Sequence, residues 1–420
     1  MLGHKKNIYL ATCGFPWGKG EKSFILPELP LLSDMYQVTI LACASDKVVE
    51  QEQWHTKLDD KIRVLRFPDN PLRVEEKLLE TFRAMASAIM WKEVFRILQG
   101  REKIVVRIMD SLNFYVVANR YRRWLEKEKI LSDEKAIFYS FWSTTYHLAA
   151  VMEKKKYPEL KIVSRLHGFD LYNERCIGKR QPFKKYLDSN SDMLLFASDY
   201  GFKYYMNLFA DEKKKCRICH IGIKGVRNNG RHRENKTFYL ISCSNVISIK
   251  RVDLIVKVLA RIKDISIQWT HFGDGEELLK IKEEARVTLS ENVEAVFKGY
   301  INNDFIQKYY REYPVDCFIT TSATEGGCPV SIMEAMSAYT PIIGTDVGGI
   351  PSMIDGNGVL LTKNPTEEEI EKAIRYIYNM DEQSLELMRN RSYEIWNEKF
   401  NEEKNVKEVL EIMNHLFEED

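Results

Sequence analysis

Short apolar runs alternate with amphipathic stretches along this chain, and the series occurs twice, once on either side of a polar interval. An apolar run bounded by turn residues and followed by a stretch of helical period is a strand–helix unit. Consecutive units of this kind build a parallel sheet with helices on both faces. In the first series, strands are expected at Ile8–Cys13, Gln37–Ala42, Ile62–Phe67, Ala136–Tyr139, Lys161–Arg165 and Met193–Ala197, with a helix over Ser23–Ser33 whose start is blurred by Pro27 and Pro30. In the second, strands are expected at Thr237–Cys243, Ile265–Phe272, Val293–Lys298, Asp316–Thr320 and Pro341–Thr345, separated by helices over Arg251–Ile262, Glu276–Val287, Asp304–Tyr313 and Val330–Ala338. The interval Gly225–Lys236 is polar and turn-rich and reads as a linker. The expected fold class is therefore α/β, with two Rossmann-like domains in series facing across a cleft. Residues 1–225 would form the first domain and 237–385 the second. The closing helices of 386–420 would fold back on the first, after a capping box of Thr366 and Glu369.

The chain has 420 residues, enough for two or three domains with large cores. Lys and Arg total 62 against 61 Asp and Glu, so no global field draws it to nucleic acid, and any anionic ligand needs a local site. The apolar run Ile8–Cys13 is too short for a signal-peptide core, and no stretch approaches a membrane span; a cytoplasmic protein is expected. The eight cysteines lack disulfide-module spacing, which fits a reducing compartment. Cys216-Arg217-Ile218-Cys219-His220 has the spacing of a c-type haem attachment, but it continues as Ile221-Gly222-Ile223 and reads as a short strand entering a turn. Gly273-Asp274-Gly275 lacks the third glycine of a dinucleotide fingerprint, and neither catalytic-triad signatures nor His-Glu-x-x-His zinc sites occur. No cofactor and no metal are expected.

Two segments have the character of ligand loops. The first, Gly14-Phe15-Pro16-Trp17-Gly18-Lys19-Gly20-Glu21, lies between the first strand and the first helix, where open α/β sheets bind ligands. Gly18 and Gly20 would let a diphosphate or acceptor approach the backbone, or simply make a tight turn. Glu21 would orient an acceptor hydroxyl or cap the helix. The second runs Thr324-Glu325-Gly326-Gly327-Cys328-Pro329-Val330-Ser331-Ile332-Met333-Glu334-Ala335-Met336-Ser337. Its glycines make a loop and Pro329 suits the first helical turn, so the N–H groups around Gly327, Val330 and Ser331 would meet a phosphate at the positive end of the helix dipole. Glu325 would face a sugar hydroxyl and Glu334 a ribose.

With these residues in view, the sequence resembles family-four retaining glycosyltransferases of the GT-B fold, most closely those that build polysaccharides. The resemblance runs in order through the Phe15–Phe24 loop, Val163-Ser164-Arg165-Leu166-His167-Gly168-Phe169-Asp170-Leu171-Tyr172, Lys250-Arg251-Val252-Asp253-Leu254, Gly273-Asp274-Gly275, Lys298-Gly299-Tyr300, the acidic segment above and Thr345-Asp346-Val347-Gly348-Gly349. It implies a sugar transfer, with retention of configuration, from a nucleotide diphosphate donor such as a UDP- or GDP-sugar to a hydroxyl of a glycan or lipid-linked glycan. It implies that His167 contacts the donor sugar, that Lys250 holds the diphosphate, and that Gly299 and Tyr300 belong to the donor site; Arg251, directly after Lys250, would add a second positive charge on the diphosphate or stand at a solvated helix start. Glu21, Asp170 and Trp142 are candidates for the acceptor side; Asp170 is equally suited to cap the following helix, and Trp142 to pack in the core. Two departures from the pattern stand out. The family usually separates its glutamates by one residue fewer than the eight between Glu325 and Glu334, and its further arginine is replaced here by Ser244 or Asn245. A GT-B epimerase or phosphorylase, or a catalytically weak partner subunit, is the alternative.

One more stretch, Ala84–Trp91, is apolar nearly all round and flanked by Arg83, Lys92 and Arg96. It would lie on a membrane surface as a peripheral contact, or pack as a core or domain-packing helix.

Overall fold

The computed structural model describes residues 5–18, 21–51, 55–100, 102–133, 135–209, 215–226 and 236–417. They form two compact units, the first comprising Met1–Ile221 with Val406–Asp420 and the second Gly222–Asn405. Most of the linker, 227–235, and Gly20 lie outside the described residues.

The first unit holds a parallel sheet of seven strands: β1 (Asn7–Thr12), β2 (Gln37–Cys43), β3 (Arg63–Phe67), β4 (Ile137–Ser140), β5 (Lys161–Leu166), β6 (Met193–Phe196) and β7 (Cys216–Ile218). Their order is β3-β2-β1-β4-β5-β6-β7. All residues of β4 and β6 are buried, because helices cover both faces, and a strand in that position reads as an unbroken apolar run. The Cys216–His220 segment is a short strand leading into a turn.

The second unit repeats the design with six parallel strands: β8 (Phe238–Cys243), β9 (Ile267–Phe272), β10 (Val293–Gly299), β11 (Cys317–Ile319), β12 (Ile342–Thr345) and β13 (Gly358–Leu361), in the order β10-β9-β8-β11-β12-β13. Sequence periodicity misses β13. It is a short edge strand that begins with a glycine, and Gly358 is required there because a Cβ would come within 1.9 Å of the Ile342 carbonyl oxygen. Each sheet changes direction of winding once, between β1 and β4 in the first and between β8 and β11 in the second. Crevices outside the strand C-termini at such points are where open α/β sheets hold ligands.

Several expectations need correction. The helix over Ser23–Ser33 is two helices, Lys22–Ile25 and Leu29–Met35, because the prolines interrupt the ladder of backbone hydrogen bonds. Ala84–Trp91 straddles the end of one helix, Val74–Met85, and the start of another, Ala88–Gln99, whose N-cap is the Ser87 hydroxyl. Only half of the capping box forms: the Thr366 hydroxyl accepts from the Glu369 N–H, but the Glu369 carboxylate turns back to the N–H and hydroxyl of Thr362. Of the closing helices, Glu382–Ile395 stays in the second unit, where Ile395, Trp396 and Phe400 join its core. Only residues from Val406 onward belong to the first, with Val409, Leu410 and Met413 buried beside Ile8 and Leu32, and Tyr36 donating to Asn414 at 2.5 Å. Among the described residues no helix is long and apolar enough to cross a membrane.

Candidate active site

In the second unit the chain leaves β8, passes Ser244 and Asn245, and makes a single tight helical turn, Ser248–Lys250, before the helix Val252–Arg261. Gly273 and Gly275 floor this loop. A Cβ on Gly273 would meet the Ser244 carbonyl oxygen at 1.8 Å and one on Gly275 the Val246 oxygen at 2.3 Å, so the Gly-Asp-Gly motif is needed for close backbone packing beneath the site. Across the switch point, the chain leaving β11 runs through Thr321 and Glu325 to the helix Val330–Ser337. The Lys250 ammonium and the Glu325 carboxylate form an ion pair across this crevice, both mostly shielded from solvent.

Arg251 is placed otherwise than a phosphate ligand. Its guanidinium donates to the main-chain oxygens of Thr321 (2.6 Å), Ser322 (2.9 Å) and Lys363 (2.9 Å) and to the Asn364 side chain (3.2 Å), while the Thr321 hydroxyl returns a bond to the Arg251 oxygen at 2.9 Å. Arg251 is thereby a clamp that fixes the two walls carrying Lys250 and Glu325. The run Thr320-Thr321-Ser322 directly after a strand was the sequence signal for the matching wall.

The loop 325–328 rests on Gly348 and Gly349. Gly348 has a φ of +56° and no room for a Cβ, which would approach the Glu325 oxygen at 2.4 Å; the Gly349 N–H donates to the Gly327 oxygen at 3.1 Å. Pro329 caps the following helix without any side-chain hydrogen bond, so its first turn, starting at Val330 and Ser331, presents backbone N–H groups and the positive end of the dipole. One turn further in, Glu334 is buried. Burial pushes its carboxyl up to about 8, and its Oε1 has no hydrogen-bond partner among the described residues. An unsatisfied buried oxygen of this kind costs about 1–3 kcal/mol, which a hydroxyl-bearing ligand would recover. Gly299, with a φ of +68° and open space where a Cβ would stand, and the exposed Tyr300 lie at the end of edge strand β10, two strands from the switch point.

The first unit has its own cluster at the ends of β1, β4 and β5. Glu21 is buried and accepts from the N–H groups of Cys13 (2.8 Å) and Phe15 (3.0 Å) and from the Trp142 indole (2.6 Å); desolvation raises its pKa against those bonds. It neither caps the helix nor stands free. It joins the β1 loop to the β4 loop. Gly18 closes the turn with its N–H on the Gly14 oxygen at 3.0 Å, and a Cβ there would meet only ordinary contacts.

His167, at the end of β5, lies with its ring centroid 4.0 Å from that of Trp142, which in turn is 4.8 Å from Phe169. Its Nε2 donates to the Phe141 oxygen at 2.9 Å, which leaves Nδ1 as the acceptor of a neutral ring. Burial and then the nearby Arg165 charge lower its pKa to about 3, so neutrality holds at physiological pH. Asp170 is not a helix cap. Its two carboxylate oxygens accept from the N–H groups of His167 (2.9 Å) and Ser143 (2.8 Å) and staple the β5 end to the β4 end. Arg165, two residues before His167, has a role that no motif assigns. It is fully buried, ion-paired with Glu28, and donates to the oxygens of Cys219 (3.0 Å) and His220 (3.2 Å). A charged residue inside an otherwise apolar strand was the available signal.

Taken alone, the architecture is that of the GT-B glycosyltransferases. Anabaena HepE, solved with UDP and glucose, superposes over 98% of this chain and 100% of its own with a TM-score of 0.66 at 14% identity. The sucrose-phosphate synthase of Thermosynechococcus elongatus superposes over 99% and 100% with a TM-score of 0.68 at 13% identity. Residues 227–394 match the family described as glycosyl transferases group 1. Among curated proteins, the O-antigen biosynthesis glycosyltransferase WbnH of Escherichia coli is 33% identical over 121 residues, 29% of this chain and 32% of its own length. The chain thus matches about a third of the length of such relatives.

Proposed function

We propose that the protein is a retaining glycosyltransferase that moves a sugar from a nucleoside diphosphate donor, a UDP- or GDP-sugar, to a hydroxyl of a glycan or lipid-linked glycan in polysaccharide synthesis. The observation that carries this reading is the presence, on the two sides of one sheet's switch point, of the Lys250 ammonium, an uncapped helix N-terminus and the buried Glu334, whose Oε1 has no hydrogen-bond partner among the described residues. Lys250 and the first N–H groups of Val330–Ser337 would stabilise the charge that develops on the leaving diphosphate, an arrangement that costs no reorganisation during reaction. Glu334 would take the ribose hydroxyls. Glu325, released from Lys250 as the diphosphate binds, would accept from the donor sugar. The neutral His167 would accept a sugar hydroxyl at Nδ1, with its ring held by Trp142. Glu21 and Asp170 would act by positioning the loops that carry His167 and Trp142. The relatives in O-antigen biosynthesis support a glycan acceptor, and a lipid-linked one would set the reaction at the inner face of a membrane.

Because a lysine and a helix dipole are assigned to the diphosphate, transfer should persist in EDTA. Product formation from a panel of nucleotide sugars, with and without a glycan acceptor, tests both points. Turnover that needs acceptor and survives chelation is the expected result. Donor consumption without acceptor would instead indicate an epimerase or hydrolytic enzyme, and complete loss in EDTA with rescue by magnesium or manganese would overturn the assigned charge balance.

A further inference from the structure

Two helices of the first unit each bury a carboxylate while carrying large apolar side chains on the solvent side. Helix Val74–Met85 buries Glu80, only 3% exposed, where it receives Arg83, Arg123 and Asn119; helix Ala88–Gln99 buries Glu93, 1% exposed, which receives Arg180 and the Phe183 N–H. Ala84, Met90 and Ile97 pack inward beside them, but the outward faces also carry large apolar side chains. Leu78, Phe82 and Met85 follow one another at helical spacing along the first, with Phe82 72% exposed, and Trp91, Phe95 and Leu98 do so along the second, with Phe95 65% exposed. The start of helix Ile104–Lys127 adds Met109. The loop 173–180 is tied to these helices by Arg180 on Glu93 and by Arg107 Nε on the Gly178 oxygen at 2.9 Å, and it adds Ile177, 80% exposed. Isolated exposed apolar residues are ordinary, but a continuous patch over several elements marks an interaction surface.

Charge indicates which surface. Residues 73–107 contain eight Lys and Arg against five Asp and Glu, and residues 173–180 three against one, a local excess of +5 in a chain whose total is +1. Glu80 and Glu93 are buried against Arg83 and Arg180, so the charge met by solvent comes from the remaining lysines and arginines. Lys77, Lys92 and Lys103 are exposed beside the apolar stripes, where long cationic side chains can cover apolar neighbours while their heads reach phosphate. The Trp91 indole donates to the Met85 oxygen at 2.7 Å and lies at the junction of the two helices. Apolar stripes bearing Trp, Phe and Leu with flanking lysines and arginines are suited to the boundary of an anionic bilayer.

We infer that this face docks the first unit on an anionic lipid surface, with the apolar stripes in the interfacial layer and the lysines on lipid phosphates. That the leaflet so bound is the one carrying the acceptor rests on the transferase reading; the docking itself does not.

The test is co-sedimentation of the full chain with phosphatidylcholine vesicles, with and without phosphatidylglycerol, in the absence of donor and acceptor. Binding to the anionic vesicles that weakens with added salt is expected. Phe82→Ser, Trp91→Ser and Phe95→Ser together should weaken it roughly tenfold or more through the lost apolar area, with an unchanged melting curve. Lys77→Glu with Lys92→Glu, which alters no buried group, should weaken it independently. Absence of vesicle binding, or equal binding by both variants, would overturn the inference. So would a dimer in light scattering that the serine variant dissolves while no vesicles are bound, because the face would then belong to a second copy. A failed transfer assay leaves each of these outcomes readable.

Discussion

Lys250→Ala lowers the rate of sugar transfer roughly tenfold to a hundredfold or more, because a charge-assisted contact worth about 1.5–3 kcal/mol to the leaving diphosphate disappears. The variant also leaves the Glu325 carboxylate without its cation in a mostly shielded crevice, which destabilises the fold. These two effects separate in the double variant Lys250→Ala with Glu325→Gln, which removes the unpaired charge. Its melting temperature should return towards that of the parent while transfer stays low. Steady-state rates and thermal melts of the parent and both variants check this, and recovery of transfer in the double variant would mean that Lys250 only neutralises Glu325.

Glu334→Gln should have opposite effects on stability and on ligand binding. Its folded-state pKa of about 8 lies above the ordinary 4.5, so between those values the folded protein holds a proton that the unfolded chain has lost. The stability linked to this group is therefore present below about pH 4.5 and is lost as the pH rises through about 8. A glutamine cannot ionise, so the variant should gain on the order of 1–3 kcal/mol over the parent at pH 9 and little near pH 4.5, or about 2–4 °C in melting temperature per kcal/mol. Nucleotide binding should move the other way. An ionised carboxylate accepts two ribose hydroxyls, so binding by the parent should release a proton and strengthen about tenfold from pH 7 to pH 9, whereas the glutamine variant should bind more weakly and show no such rise. Thermal melts and calorimetric titrations across this range measure both.

The positions of the strands were legible because buried parallel strands leave unbroken apolar runs, as at Ile137–Ser140 and Met193–Phe196. The glycine loop before Val330 and the helix that follows were legible because glycines, a proline and an amphipathic run are local signals. What the chain does not show locally is which distant groups will meet. Asp170 joins two strand ends through backbone N–H groups, and Arg251 reaches carbonyls some seventy to over a hundred residues away, so neither role has a periodic or spacing signature. The helices Val74–Met85 and Ala88–Gln99 escaped for another reason. Each pairs a buried carboxylate, Glu80 or Glu93, with large apolar side chains on its solvent face, which blurs the apolar-in, polar-out pattern from which helices are read. The loop that carries Glu325 rests on Gly348 and Gly349, and Glu325 is ion-paired with Lys250, a contact between residues 75 positions apart that no local signal shows.

Calorimetric titration of the parent, Lys250→Ala and Glu334→Gln with UDP, GDP, ADP, CDP and TDP tests the proposed donor site most directly. One or more of these nucleotides should bind the parent and, at about 100 times the dissociation constant, stabilise it by roughly 2.7 kcal/mol, with both variants binding more weakly. If none of the five binds, or if both folded variants bind as tightly as the parent, the site is not where the nucleotide sits.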